Sequence, residues 1–231
     1  MKSYFQNSQN KYNPLLSEYK PVVVRIVIDS KNEGLDFDDN VVGGVSDSLN
    51  SFAKKFSKEY GCIGVVNFNE INFIFEDVKV LKRKFKRLET QTLTSFMSQD
   101  IFYRINNELN LLNKLIYIKV NTFNIFDNKL KTYIKHRQIQ GFNSYLRYYS
   151  SRYFNFSEYC GKSMYELFEK IKSVKIFSDS RINYIKNGFI YKQGCVVDIS
   201  DLDKSIKDIK KQYKNNRIEV NILESSELDN I

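Results

Sequence analysis

The chain has 231 residues, enough for one large domain or one domain with an appendage, and at 42% hydrophobic and 15% aromatic it can bury a sizeable core. Its 36 Lys and Arg outweigh 27 Asp and Glu, and the net charge of +9 favours polyanionic partners. No apolar run reaches the roughly eighteen residues of a membrane span, the polar start from Met1 to Asn7 has no apolar signal core, and Cys62, Cys160 and Cys195 fit neither a zinc pattern nor a disulfide framework; the expectation is a cytoplasmic protein whose cysteines are small hydrophobes.

Residues 1–17 are polar and Asn-rich and read as a flexible arm. Pro21 to Asp29, P-V-V-V-R-I-V-I-D, is a β-branched run of strand length that ends on a carboxylate. A loop with Gly34 and the acidic group Asp36, Asp38 and Asp39 follows. Ser46 or Asp47 then caps a helix to about Tyr60, with Leu49, Phe52, Ala53 and Phe56 on one face and Gly61 as its stop. Cys62 to Asn67 and Ile71 to Phe75 read as strands joined at Phe68-Asn69-Glu70. The spacing of Leu81, Phe85, Leu88, Thr92 and Phe96 predicts one helix from about Val80 to Asn106, strongly basic in its first turns.

Leu115 to Phe123 is a further strand, and a helix from about Asp127 runs toward Tyr149. Tyr165 to Lys172 is helical, and the Asn187-Gly188 pair predicts a hairpin over Asn183 to Lys192. Ile199 to Asn216 reads as a charged amphipathic helix, and the acidic tail after it frays. The order strand, helix, strand, strand, helix, strand is a split β-α-β plan. The expected fold is therefore α+β and ferredoxin-like, with helices on one face of the sheet and helical and hairpin additions behind it. The expected organisation is an arm at 1–17, a main domain at 18–198, and a charged helix and tail at 199–231.

Five blocks in order carry a resemblance. They are V-V-V-R-I-V-I-D-S, N-F-N-E-I-N-F-I-F, L-K-R-K-F-K-R-L-E-T-Q-T-L-T-S-F, F-D-N-K-L-K-T-Y-I-K-H-R-Q, and K-S-V-K-I-F-S-D-S-R-I-N-Y-I-K-N-G-F-I-Y-K-Q-G from Lys172 to Gly194. Together they span about residues 18–196, and the chain resembles the tRNA-histidine guanylyltransferase family. The resemblance implies a polymerase-like palm that adds nucleotides in the reverse direction, onto an RNA 5′ end. It implies GTP as the nucleoside triphosphate, tRNA or another RNA as acceptor, and a homo-tetramer or a hetero-oligomer with an active paralogue.

Such chemistry uses two Mg²⁺ ions held by carboxylates against the triphosphate. The resemblance places metal ligands at Asp29, the Ser30 carbonyl and Asn69, with Asp29 and Glu70 catalytic. Asn69 stands where the family has its second carboxylate, so the second ion lacks an anionic ligand. Lys82, Arg83, Lys86 and Arg87 on the basic helix, with Arg137, Lys172 and Asn183, match nucleotide- or RNA-binding positions. The family's G-F-H histidine and the lysine after it are missing, and its H-I-N-N-L-Y-N helix reads F-N-S-Y-L-R-Y from Phe142 to Tyr148, where Leu146 holds its place. His136, which replaces a Trp, reads as a packing or surface residue. The Tyr145–Tyr153 stretch interleaves rings with cations, a composition suited both to base stacking and to inward packing.

Two functions follow: an active 5′-end nucleotidyltransferase, or a degenerate palm that binds RNA or protein without catalysis. A cyclase-type palm requires a Gly-Gly-acidic turn that Phe68-Asn69-Glu70 does not supply.

Overall fold

The structure is a computed structural model describing residues 16–17, 19–29, 45–76, 78–84, 90–109, 117–174, 179–205 and 207–208. Its strands are β1 (Val22–Asp29), β2 (Ile63–Asn67), β3 (Glu70–Phe75), β4 (Tyr117–Asn124), β5 (Phe189–Lys192) and β6 (Cys195–Val196). Its helices are α1 (Val45–Tyr60), α2 (Lys79–Lys84), α3 (Thr90–Leu109), α4 (Leu130–Tyr153), α5 (Phe156–Tyr159), α6 (Met164–Val174) and α7 (Asp179–Asn187).

The six strands form one sheet in the order β4-β1-β3-β2-β5-β6, with every neighbouring pair antiparallel. β1 and β2 therefore run parallel on either side of β3. Alternation along β1 sorts its side chains: Val22, Val24, Ile26 and Ile28 enter one core and Val23 enters the other. The first core lies under α1, whose Leu49, Phe52, Ala53 and Phe56 are buried at helical spacing, and under Leu93, Met97 and Ile101 of α3. Phe56 stacks on Tyr60 at 4.2 Å and meets Phe73 at 4.3 Å, tying α1 to the sheet.

The second core holds Val23, Ile63, Val65, Ile74 and Ile190 from the sheet, with Leu130 and Ile134 of α4. Helices therefore lie on both faces, not on one as the sequence led us to expect. Further along α4, Tyr145, Leu146 and Tyr149 join the first core with Leu167, Phe168 and Ile171 of α6. The long helix passes from one face to the other around the end of the β2–β3 hairpin. Gly141 marks the crossing, since a Cβ there would lie 2.5 Å from the Asn67 Cβ.

Two local expectations are corrected. Asn187-Gly188 does not turn a hairpin: α7 ends there, with Gly188 at φ +64° and its N–H donating to the Tyr184 carbonyl at 2.7 Å. Both motifs call on the same left-handed backbone conformation. The hairpin is made instead by β5 and β6 around Gln193-Gly194. The helix expected from about Val80 to Asn106 is helical at Lys79–Lys84 and Thr90–Leu109, and 85–89 lie outside the described residues. At Ile199–Asp201 the chain forms a 3-10 turn where an α-helix was expected to start. Residues 209–231, the rest of that expected helix and its tail, lie outside the described residues, as do 1–15 of the expected arm.

Candidate functional site

The two-residue tip of the β2–β3 hairpin is held to the end of β1 by a reciprocal pair of hydrogen bonds. Ile28 N–H donates to the Asn69 carbonyl at 2.9 Å, and Asn69 Nδ2 donates to the Ile28 carbonyl at 2.8 Å. Asn69 thus lies beside the residue preceding Asp29, which closes β1 opposite Tyr117. Phe68 sets the shape of the tip. It adopts φ +50°, a region costly for a bulky side chain, and its ring is buried 5.5 Å from both Tyr145 and Tyr148. Packing of that ring against α4 holds the turn that presents Asn69.

Under the tip lies a buried polar cluster. Arg137 Nε donates to Glu70 Oε1 at 2.6 Å, and its Nη2 donates to Oε2, a two-pronged pairing. Arg25 Nε donates to Oε2 at 2.8 Å, and Asn72 Nδ2 to Oε1 at 2.7 Å. Tyr133 completes the group by donating to Asn72 Oδ1 at 2.6 Å. Burial holds the Tyr133 hydroxyl well above the usual phenol range; the Glu70 charge adds to this, and Arg137 and Arg25 oppose it. Two guanidinium groups against one carboxylate leave a surplus positive charge beneath the hairpin tip.

The contacts fall on one stripe of α4. Tyr133, Arg137, Gly141 and Tyr145 recur every four residues and meet Asn72, Glu70, Asn67 and Phe68 in turn. One helix face thereby reads out the whole hairpin end. The neighbouring Gln138 donates from Nε2 to the Asn187 carbonyl at 2.7 Å and fixes the close of α7 to the same helix.

Glu70 is therefore surrounded by donors, with four hydrogen bonds on its two oxygens. A carboxylate so engaged has no lone pair directed to a metal, and the geometry makes it a structural anchor. Asn69 is neutral, and of the proposed metal ligands only Asp29 is anionic. That donor set, completed by phosphate oxygens and water, fits one Mg²⁺. Among the described residues it offers a second ion no further anionic ligand; Asp36, Asp38 and Asp39 lie outside the described residues. Among the described residues no group of three or more His, Cys, Asp or Glu side chains is gathered to hold a metal.

The remaining expected residues that are described lie on α2, α6 and α7. Lys82 and Arg83 lie in α2, where Arg83 is exposed; Lys86, Arg87 and Ser30 lie outside the described residues. Lys172, near the end of α6, pairs with Glu169 at 3.3 Å and lies 5.4 Å from the Phe168 ring centroid. Lys186 of α7 approaches the same ring at 4.9 Å. Asn183 lies within α7. His136 is exposed on α4, in keeping with a surface role. Of the Tyr145–Tyr153 crowd, Tyr145 and Tyr149 pack inward, while Arg152 lies 5.2 Å over the Tyr148 ring on the outer side.

Sequence reasoning missed Arg25, Asn72 and Tyr133. The one signal for Arg25 was a cation interrupting an otherwise apolar strand, at a position facing the Glu70 side of the sheet.

The architecture is that of the tRNA(His) guanylyltransferase structures, a mixed α/β fold on a six-stranded antiparallel sheet. A bacterial tRNA(His) guanylyltransferase (Thg1)-like protein in complex with ATP superposes with a TM-score of 0.63 at 15% identity, covering 94% of this chain and 98% of that one. A bacterial tRNA(His) guanylyltransferase (Thg1)-like protein in complex with GTP gives 0.53 at 14% identity, over 80% and 82% of the two chains. The tRNA(His) guanylyltransferase of Saccharomyces cerevisiae gives 0.58 at 13% identity, over 90% and 100%. No protein-family model and no curated protein sequence matches the chain.

Proposed function

We propose that the protein is a palm-type nucleotidyltransferase that binds a nucleoside triphosphate, GTP foremost, with Mg²⁺ and adds the nucleotide to the 5′ end of a tRNA or tRNA-like RNA. The observation that carries this reading is the join between the Asn69 tip and the end of β1, within a fold shared with proteins solved with ATP and GTP. Asp29 would hold the ion together with phosphate oxygens, and Asn69 Oδ1 would add a neutral ligand. Bound there, Mg²⁺ supplies charge neutralisation for the phosphates.

The chain's own residues do the rest. The Glu70–Arg25–Arg137 cluster fixes the tip, and its surplus positive charge favours triphosphate nearby. The basic stretch carrying Lys82, Arg83, Lys86 and Arg87, with Lys172 and Asn183, would steer phosphate groups of nucleotide and RNA. Phosphoryl transfer gains mainly from such positioning and charge stabilisation.

A second reading has its own support. With Glu70 enclosed by arginines and an amide at residue 69, the site keeps one carboxylate among the described residues. This favours a palm that binds RNA without catalysis, as a partner subunit to an active enzyme. Label transfer from GTP to a 5′-activated tRNA separates the two. Mg²⁺-dependent transfer lost in Asp29→Ala supports the enzyme; tRNA binding without transfer supports the partner subunit.

A further inference from the structure

The sheet has a second polar turn at the opposite end from the hairpin tip. Gln193 and Gly194 link β5 to β6, and β5 pairs with β2 so that Lys192 lies opposite Ile63, the first residue of β2. This turn is seated on α1. Gly194 adopts φ +78° and its N–H donates to Ser57 Oγ at 3.1 Å, while that hydroxyl donates to the Lys54 carbonyl at 3.1 Å. A Cβ on Gly194 would lie 3.0 Å from the Lys58 Cβ. The turn and helix are thus in direct contact.

Along this seam runs an open cleft of about 440 Å³, lined by Ser51, Lys54, Lys55, Lys58, Gln193, Gly194 and Cys195. Of these seven described residues three are exposed lysines, and none is acidic. Offsetting the negative C-terminal end of α1 accounts for Lys58 in its last turn. It does not account for Lys54 a turn earlier, nor for the cleft that both stems line together with the glycine turn.

We propose that this cleft holds the phosphodiester backbone of the RNA whose 5′ end is presented at the hairpin tip. The proposal rests on the RNA-directed reading above and adds a remote contact to it. The lining chemistry points to phosphate: ammonium groups supply mobile point charges suited to a backbone. Among the described lining residues there is no ring or carboxylate to recognise a base or a ribose, so a free nucleotide would find little there beyond its phosphates. Position points to a polymer. β2 alone spans about 13 Å at the rise of an extended strand, and a ligand reaching both ends must be longer than one nucleotide.

Fluorescence anisotropy of a labelled tRNA transcript across a KCl series tests this with Lys54→Gln/Lys58→Gln, both at exposed positions. The expected result is at least about tenfold weaker binding at moderate salt, and a log K against log salt slope shallower by about 1.4–1.8 for two lost phosphate contacts. Lys54→Arg/Lys58→Arg restores both, and calorimetric Mg²⁺–GTP binding is unchanged. Circular dichroism melts establish that each variant is folded. Unaltered affinity and slope in the Gln variant overturn the proposal, as does a native protein that binds no tRNA. Loss of GTP binding with RNA binding intact also overturns it and assigns the cleft to free nucleotide. If native protein binds tRNA through these lysines but binds no GTP, the cleft stands and the nucleotidyltransferase reading falls.

Discussion

Glu70 illustrates how far a residue's identity can be from its role. Acidic and next to the hairpin tip, it was expected from the resemblance to be catalytic, yet its carboxylate closes a buried ion-pair cluster with 5% of the side chain exposed. Removing the charge leaves two guanidinium groups facing each other without compensation. Glu70→Gln is expected to cost about 3 kcal/mol in urea unfolding without Mg²⁺, at the low end for a broken buried pair because solvent reaches Arg25. A metal-ligand role predicts the opposite, little change or a gain in metal-free stability. The assignment was hidden from sequence because the partners are 45 and 67 residues away. Gly188 makes a separate residue-level case. Its positive φ, and a would-be Cβ 2.1 Å from the Val66 carbonyl and 2.2 Å from Asn67 Oδ1, leave no room for a side chain. Gly188→Ala should destabilise by about 2 kcal/mol or more in the same assay.

At the scale of elements, α4 joins the parts of the site. Its four-residue stripe holds the hairpin, and its Gln138 holds α7. Tyr133 provides a titratable handle on that stripe. Its hydroxyl is held neutral in the fold by burial and by Glu70, so its contribution to stability is complete below the ordinary phenol value of about 10 and is lost as pH rises beyond it. Tyr191, also pushed up by burial, acts in the same direction. Thermal melts between pH 8 and 11 should therefore fall with rising pH, and Tyr133→Phe should make that fall shallower; an unchanged slope would contradict the packing of α4 on the hairpin. The elements themselves were largely legible: a β-branched run of strand length marked β1, and helical spacing marked α1. Which face α4 covers was not, because periodicity shows that a helix has an apolar stripe but not which side of the sheet receives it. Asn187-Gly188 was misread because a helix end and a hairpin turn call on the same backbone conformation.

For the molecule as a whole, five short blocks in order pointed to the mixed α/β architecture on an antiparallel sheet that the superposed structures share, although each block alone is weak and the placement of helices on one face did not hold. Order and spacing carry topology, and topology brings the end of β1 to the hairpin tip. The chemistry is less legible. An amide at residue 69 gives that junction a different charge from a carboxylate without altering the backbone that forms it, so fold similarity persists where activity is open to test. Calorimetric titration of GTP with and without Mg²⁺ into native protein, Asp29→Ala and Asn69→Asp probes this most directly. A triphosphate site at the junction gives Mg²⁺-dependent GTP binding in the native protein, its loss in Asp29→Ala, and about tenfold or greater tightening of Mg²⁺ in Asn69→Asp. Binding that ignores all three changes, or no GTP binding at all, would contradict it.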